Sequence, residues 1–111
     1  MSDSGQLKVL FVCGKNKVRS KTAAFLYRSD TRMQVKSAGL SPGSPHQPNQ
    51  KDLEWADVVM MMEFAHKKRI HKTYREVDLP ELVVLDIPDE YAYMEGELVE
   101  MLRLGVENYF S

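Results

Sequence analysis

The chain is 111 residues long, 43% hydrophobic and 28% charged, with 15 basic residues against 16 acidic. That length suits one domain spanning 1–111, and the near-neutral charge argues against a general electrostatic grip on nucleic acid or anionic lipid. Its one cysteine, Cys13, excludes an intramolecular disulfide, a dithiol relay and a multi-cysteine metal site.

The first residues, Met1 to Gly5, are polar and carry no targeting pattern. The segment Leu7 to Val12 (LKVLFV) reads as a buried strand that ends at Cys13-Gly14. Ser20 to Arg28 follows as a helix, with Ala23, Leu26 and Tyr27 on its apolar side. Met33 to Ser37 alternates and suits an edge strand. Leu40 to Gln50 holds three prolines and reads as a loop, with a short helical turn over Asn49 to Trp55. Asp57 to Met62 is a third strand, and its apolar core is too short to span a bilayer. Phe64 to Arg75 reads as a helix, and Leu82 to Leu85 as the fourth strand. Leu98, Met101, Leu102, Gly105, Val106 and Tyr109 mark a final helix. This order predicts an α/β three-layer sandwich: a four-stranded parallel sheet flanked by helices, with a phosphate loop after the first strand. A soluble protein of the reducing cytoplasm is the expectation, as a monomer or weak homodimer.

The junction after the first strand carries the chemistry. Cys13 to Ser20 spells Cys-x5-Arg-Ser between a strand and a helix N-terminus. Such a turn aims backbone N–H groups into one concavity, where the helix dipole favours an oxyanion. Arg19 adds a bidentate fork for two phosphoryl oxygens. The same charges would stabilise a Cys13 thiolate, to which Ser20 can donate a hydrogen bond. This is equipment for nucleophilic attack on phosphorus.

LKVLFVCGKNKVRSKTAAF resembles the first strand, phosphate loop and first helix of the low-molecular-weight protein tyrosine phosphatases, whose loop usually reads Cys-x-Gly-Asn-x-Cys-Arg-Ser-Pro. The resemblance puts Cys13 at the nucleophile, Asn16 at the loop-bracing asparagine, Arg19 at the phosphate-binding arginine and Ser20 at the hydroxyl position. It assigns phosphate binding to Gly14, Lys15, Asn16, Lys17, Val18 and Arg19. Ser37-Ala38-Gly39 matches the family's Ser-Ala-Gly, and Ala56 to Glu63 resembles its Ala-Asp strand ending in Met-Asp. His66 also has family precedent.

Phosphoryl transfer to a thiolate needs a proton for the leaving oxygen. On composition alone His46, His66 and His71 qualify. The resemblance points to Asp89 instead, because Ile87-Pro88-Asp89-Glu90-Tyr91 is similar to the family's Ile/Val-Pro-Asp-Pro-Tyr acid loop. Asp86 is the runner-up. Tyr91 falls where the family has a tyrosine lining the substrate cleft, and Tyr93 lies close by. The family implies a cysteine-dependent phosphatase of phosphate monoesters, acting on protein phosphotyrosine through a thiophosphoryl intermediate. It needs no metal or cofactor, and its partner is a phosphorylated protein or small phosphomonoester.

Several positions depart from the pattern. Lys15 replaces the loop glycine, Val18 the second cysteine, Lys21 the proline after Ser20, and Glu90 the proline after Asp89. These motivate an alternative: a degenerate phosphatase that binds phosphate or phosphopeptide with little turnover. An arsenate reductase would need further cysteines, and the Arg-Ser ending disfavours a phosphocarrier. The chain is short for the family between Gly39 and Ala56, where part of the substrate wall normally lies. Trp55, in the shortened segment, is expected to pack on the sheet rather than line the cleft. Lys17 would favour an acidic phosphopeptide, a small polyanion or another phosphorylated side chain. Lys67, Lys68, Arg69, Lys72 and Arg75 read as a solvated face that would steer anionic substrates if it lay beside the cleft.

Overall fold

Among the described residues four strands, β1 (Leu7–Cys13), β2 (Met33–Gly39), β3 (Val58–Met61) and β4 (Glu81–Val84), pair in parallel in the order β2-β1-β3-β4. The computed structural model describes residues 5–14 and 18–111. Within them, four helices connect and cover the strands: α1 (Arg19–Leu26), α2 (Gln50–Trp55), α3 (Phe64–Thr73) and α4 (Gly96–Phe110). The expected α/β order is therefore observed, with β2 on an edge.

Strand alternation divides the core into two layers. Val9, Phe11 and Cys13 of β1 face one way, with Ala23 of α1 and Leu98, Leu102 and Val106 of α4 packed against them. Leu10 and Val12 face the other way, onto Leu53 of α2 and Ile70 of α3. A central strand buried on both sides has no polar face to show, which is why β1 reads as an unbroken apolar run. Cys13 thus ends β1 with its side chain on the α1–α4 side.

Element ends differ from the sequence expectation by a residue or two. β2 runs on through Ala38 and Gly39 because Val12 and Cys13 still pair with them. α1 begins at Arg19, and its buried residues include Arg19, Ser20 and Thr22 as well as Ala23. That polar side hid the helix's inward face from an apolar periodicity. α2 is only six residues long, but its start is well specified. Asn49 Oδ1 accepts from Asp52 N at 2.9 Å, and Asn49 N donates to Asp52 Oδ2 at 3.0 Å. His46 Nε2 lies 2.9 Å from the same Asp52 oxygen and ties the preceding loop to the helix.

Trp55 packs as expected. It leans on the Leu10–Val12 layer, with Lys36 Nζ 4.5 Å above its ring centroid. At the opposite end of the sheet from Cys13, Arg32 bridges Asp30 and Glu107, which fastens α4 to the entry of β2. Tyr27 donates to Glu107 there, and burial with the Glu107 charge pushes its hydroxyl up to about 12. No helix among the described residues is long and apolar enough to cross a membrane.

Candidate active site

The chain crosses from one side of β1 to the other between β2 and β3. In an open parallel sheet that reversal leaves a crevice at the carboxyl ends of the two neighbouring strands. Cys13-Gly14 leaves β1 at this point, and Met62-Glu63 leaves β3 beside it. Leu85 N donates to Met61 O at 2.7 Å and Ile87 N to Met62 O at 2.8 Å, so the segment after β4 is drawn to the same rim.

Cys13 is buried, and its Sγ lies 3.0 Å from Ser20 Oγ. The expected Cys–Ser contact is therefore formed, across the turn that joins β1 to α1. Arg19 is not a solvated helix residue: it is only 3% exposed. Its Nη1 donates to Glu63 Oε2 at 2.6 Å and to the Ile87 carbonyl at 2.6 Å. A buried guanidinium needs such partners, and two on one nitrogen fix the plane of the fork. Of the other loop positions, Val18 packs against the α1–α4 layer. Lys15, Asn16 and Lys17 lie outside the described residues.

Asp89 comes to the same place from the other side. Its Oδ1 lies 3.8 Å from Arg19 Nε, while its side chain stays 69% exposed. An exposed carboxyl at the edge of a buried cation can face both solvent and a bound group. Asp86 has φ +58° and helps line an open groove of about 490 Å³ with Glu63, Phe64, Ile87, Pro88 and Asp89. Tyr91 is half-buried and its hydroxyl donates to Met101 Sδ at 3.3 Å, which turns that end of the ring toward α4. Burial raises the Tyr91 hydroxyl above its ordinary range, as do the Glu97, Glu90 and Glu95 charges. Tyr93 is largely exposed. Met94 N donates to Thr22 Oγ1 at 3.2 Å, which pins the far end of this segment to α1.

The three histidines separate. His71 is exposed on α3, and His46 is engaged with Asp52. His66 is buried beside the phosphate-loop turn: a Cβ built on Gly14 would lie 3.9 Å from His66 Nε2 and 3.9 Å from Ser41 Oγ. Glu63 N donates to His66 Nδ1 at 3.3 Å, so the proton of the neutral ring sits on Nε2, toward Gly14. Burial holds the His66 imidazolium pKa below its ordinary value. Arg19 and Arg69 push the same way, and Glu63 and Asp89 oppose them. Below about pH 6.5 the unfolded chain then takes up a proton that folded His66 refuses. Stability present at neutral pH is accordingly lost as the pH falls from that value toward the lower folded one. Urea midpoints at pH 7.5 and 5.5 should drop less in His66→Gln than in the original chain. An equal drop would place the acid sensitivity elsewhere.

Two contributors were not foreseen. In the sequence Glu63 stands only at the end of a strand, and its neighbour across the rim, the Ile87 carbonyl, carries no side-chain signal. Glu63 follows the strand that pairs with β1, and that register is the cue that could have found it. The loop after β2 also braces the turn: Ser41 N donates to Gly14 O at 2.6 Å, and Ser44 Oγ to the same carbonyl at 3.3 Å.

No protein-family model matches the chain, and no curated protein matches it in sequence. Solved structures do match. SP-PTP, a low molecular weight protein tyrosine phosphatase from Streptococcus pyogenes, superposes with a TM-score of 0.78 at 18% identity, covering 95% of this chain and 91% of that one. The tyrosine phosphatase Wzb from Escherichia coli K30, in complex with phosphate, gives 0.75 at 16% identity, over 92% and 94% of the two chains. The YwlE arginine phosphatase from Geobacillus stearothermophilus gives 0.67 at 23% identity, over 94% of each. At these identities the likeness is one of fold, and it runs nearly end to end: this chain has the α/β fold of the low molecular weight protein tyrosine phosphatases.

Proposed function

We propose that the chain is a cysteine-dependent phosphatase that hydrolyses phosphate monoesters, with protein phosphotyrosine as its substrate class. The observation that carries this reading is the pairing of a buried Cys13–Ser20 contact with a buried, oriented Arg19 in one strand-to-helix turn. In the first step the Cys13 thiolate forms an S–P bond as the P–O bond to the leaving group breaks. The Asp89 carboxyl gives its proton to the departing oxygen. In the second step Asp89 takes a proton from water, the water oxygen bonds to phosphorus, and the S–P bond breaks to release phosphate and restore the thiolate. Arg19 and the loop amides hold the phosphoryl oxygens throughout, the electrostatic stabilisation that makes the displacement feasible.

The binding-only alternative has one observation on its side. Glu63 already neutralises part of the Arg19 charge, at 2.6 Å. Rapid quenching of turnover with an aryl phosphate, followed by intact-mass and peptide analysis, separates the two. A phosphoryl group on Cys13 with steady release of phosphate is expected. Phosphate binding without an adduct or turnover would reject the enzyme in favour of the binding module. Parallel assays with phosphotyrosine and phosphoarginine peptides test the substrate class.

A further inference from the structure

Charge is unevenly spread over this near-neutral chain. Residues 64–75 carry Lys67, Lys68, Arg69, Lys72 and Arg75 with no acidic residue, whereas Arg103 is the single cation after Arg75. Among the described residues none of the cations on α3 has an acidic partner within 4 Å. The helix buries His66 and Ile70 and leaves Lys68, Arg69 and Lys72 exposed. Their spacing places these three on one contiguous exposed arc.

This arc begins beside the candidate active site. Arg69 Nη2 donates to the Leu40 carbonyl at 2.9 Å, and Leu40 N donates to the Cys13 carbonyl at 3.0 Å. One residue, Leu40, therefore links Arg69 to the backbone of Cys13 at the end of β1. Arg69 also lines a groove of about 240 Å³ with Leu40, Pro42, Pro48, Thr73 and Tyr74. Proline and tyrosine walls with a cation at the edge suit an extended polypeptide that carries acidic side chains.

We propose that this groove and the cationic arc of α3 seat an acidic segment of a phosphoprotein substrate whose phosphorylated side chain enters the turn at Cys13. The inference rests on the phosphatase reading and names its substrate more narrowly. A polypeptide segment fits better than nucleic acid or a membrane. The patch is a single ten-residue helix. The formal net charge of the whole chain is −1, so a longer polyanion gains no general attraction beyond this helix.

The test uses two fluorescent phosphotyrosine peptides that differ only in an acidic or a neutral flank, with anisotropy measured on the full chain carrying Cys13→Ser. The acidic peptide should bind about five- to tenfold more tightly, an advantage that fades as salt is raised. Adding Lys68→Glu and Lys72→Glu should erase the advantage and leave the neutral peptide's affinity unchanged. Equal affinity for the two peptides, no binding of either, or an advantage that survives the charge reversal overturns the proposal. So does tighter binding of a single-stranded RNA oligomer or of anionic vesicles than of the acidic peptide. Turnover of a small aryl phosphate by the original chain tests the phosphatase reading separately, because that substrate has no flanking residues to occupy the groove and the arc. Its failure beside a charge-dependent acidic advantage would remove the enzyme and keep the docking surface.

Discussion

Cys13→Ser should lower turnover of an aryl phosphate by about ten-thousand-fold or more, while inorganic phosphate still binds. A cysteine sulfur is intrinsically a far stronger nucleophile than a neutral serine hydroxyl, which needs an adjacent base to become comparable. A factor of ten thousand is about 5.4 kcal/mol of lost transition-state stabilisation. The fold should survive the change. The replacement is nearly isosteric, and its hydroxyl can still hydrogen-bond Ser20 Oγ, which lies 3.0 Å from the sulfur. Arg19 keeps its partners on Glu63 and Ile87, so the anion site keeps its cation. Initial rates and the rise in melting temperature with added phosphate should therefore part company: the first collapses and the second persists. Undiminished turnover in the variant would remove Cys13 from the chemistry. Loss of phosphate binding as well would make the cysteine structural.

The two sides of this site differ in how far the sequence exposes them. Cys13, Arg19 and Ser20 are legible because a strand, a turn and a helix N-terminus are contiguous in the chain, so their proximity follows from local geometry. Asp89 is legible only through resemblance to a family, since nothing local links a carboxyl after β4 to an arginine at the start of α1. The tertiary register supplies that link, by drawing Ile87 onto Met62 at 2.8 Å. Glu63 shows the limit more sharply. Its sequence context is the end of an apolar run, yet β1–β3 pairing brings it to 2.6 Å from the guanidinium. The polar inner side of α1 was hidden for a related reason. Periodicity detects apolar faces, and a helix that turns Arg19, Ser20 and Thr22 inward has spent its first turn on the site rather than on the core.

The position of α3 follows from the same edge of the sheet. Its first turn holds His66 against Gly14, and its second sets Arg69 against Leu40. Composition alone could not distinguish a solvated basic face from one that borders a cleft. The Arg69–Leu40–Cys13 chain of hydrogen bonds decides it for Arg69, and helical spacing carries Lys68 and Lys72 along.

Asp89→Asn should lower turnover by about a hundred- to ten-thousand-fold, the usual worth of a positioned proton donor. The size of the loss should depend on the leaving group. With para-nitrophenyl phosphate the departing oxygen needs little help, so the variant should fall toward the small end in the first step. With phenyl phosphate or a phosphotyrosine peptide the oxygen is more basic, and the loss should be larger. Removing the carboxyl also deprives the second step of its base, so the phosphoryl adduct on Cys13 should accumulate with the good leaving group. Asn is close to Asp in size, and the position is 69% exposed. Stability should accordingly change little, because water screens the Asp89 carboxyl and buried Arg19 keeps its shorter contacts to Glu63 and the Ile87 carbonyl. A leaving-group series in both chains, with intact-mass detection of the adduct, checks each part. A uniform loss across the series would reduce Asp89 to a group that positions Arg19. An unchanged rate would hand the proton to another residue, and Asp86→Asn, in the same groove, is then the next variant to measure.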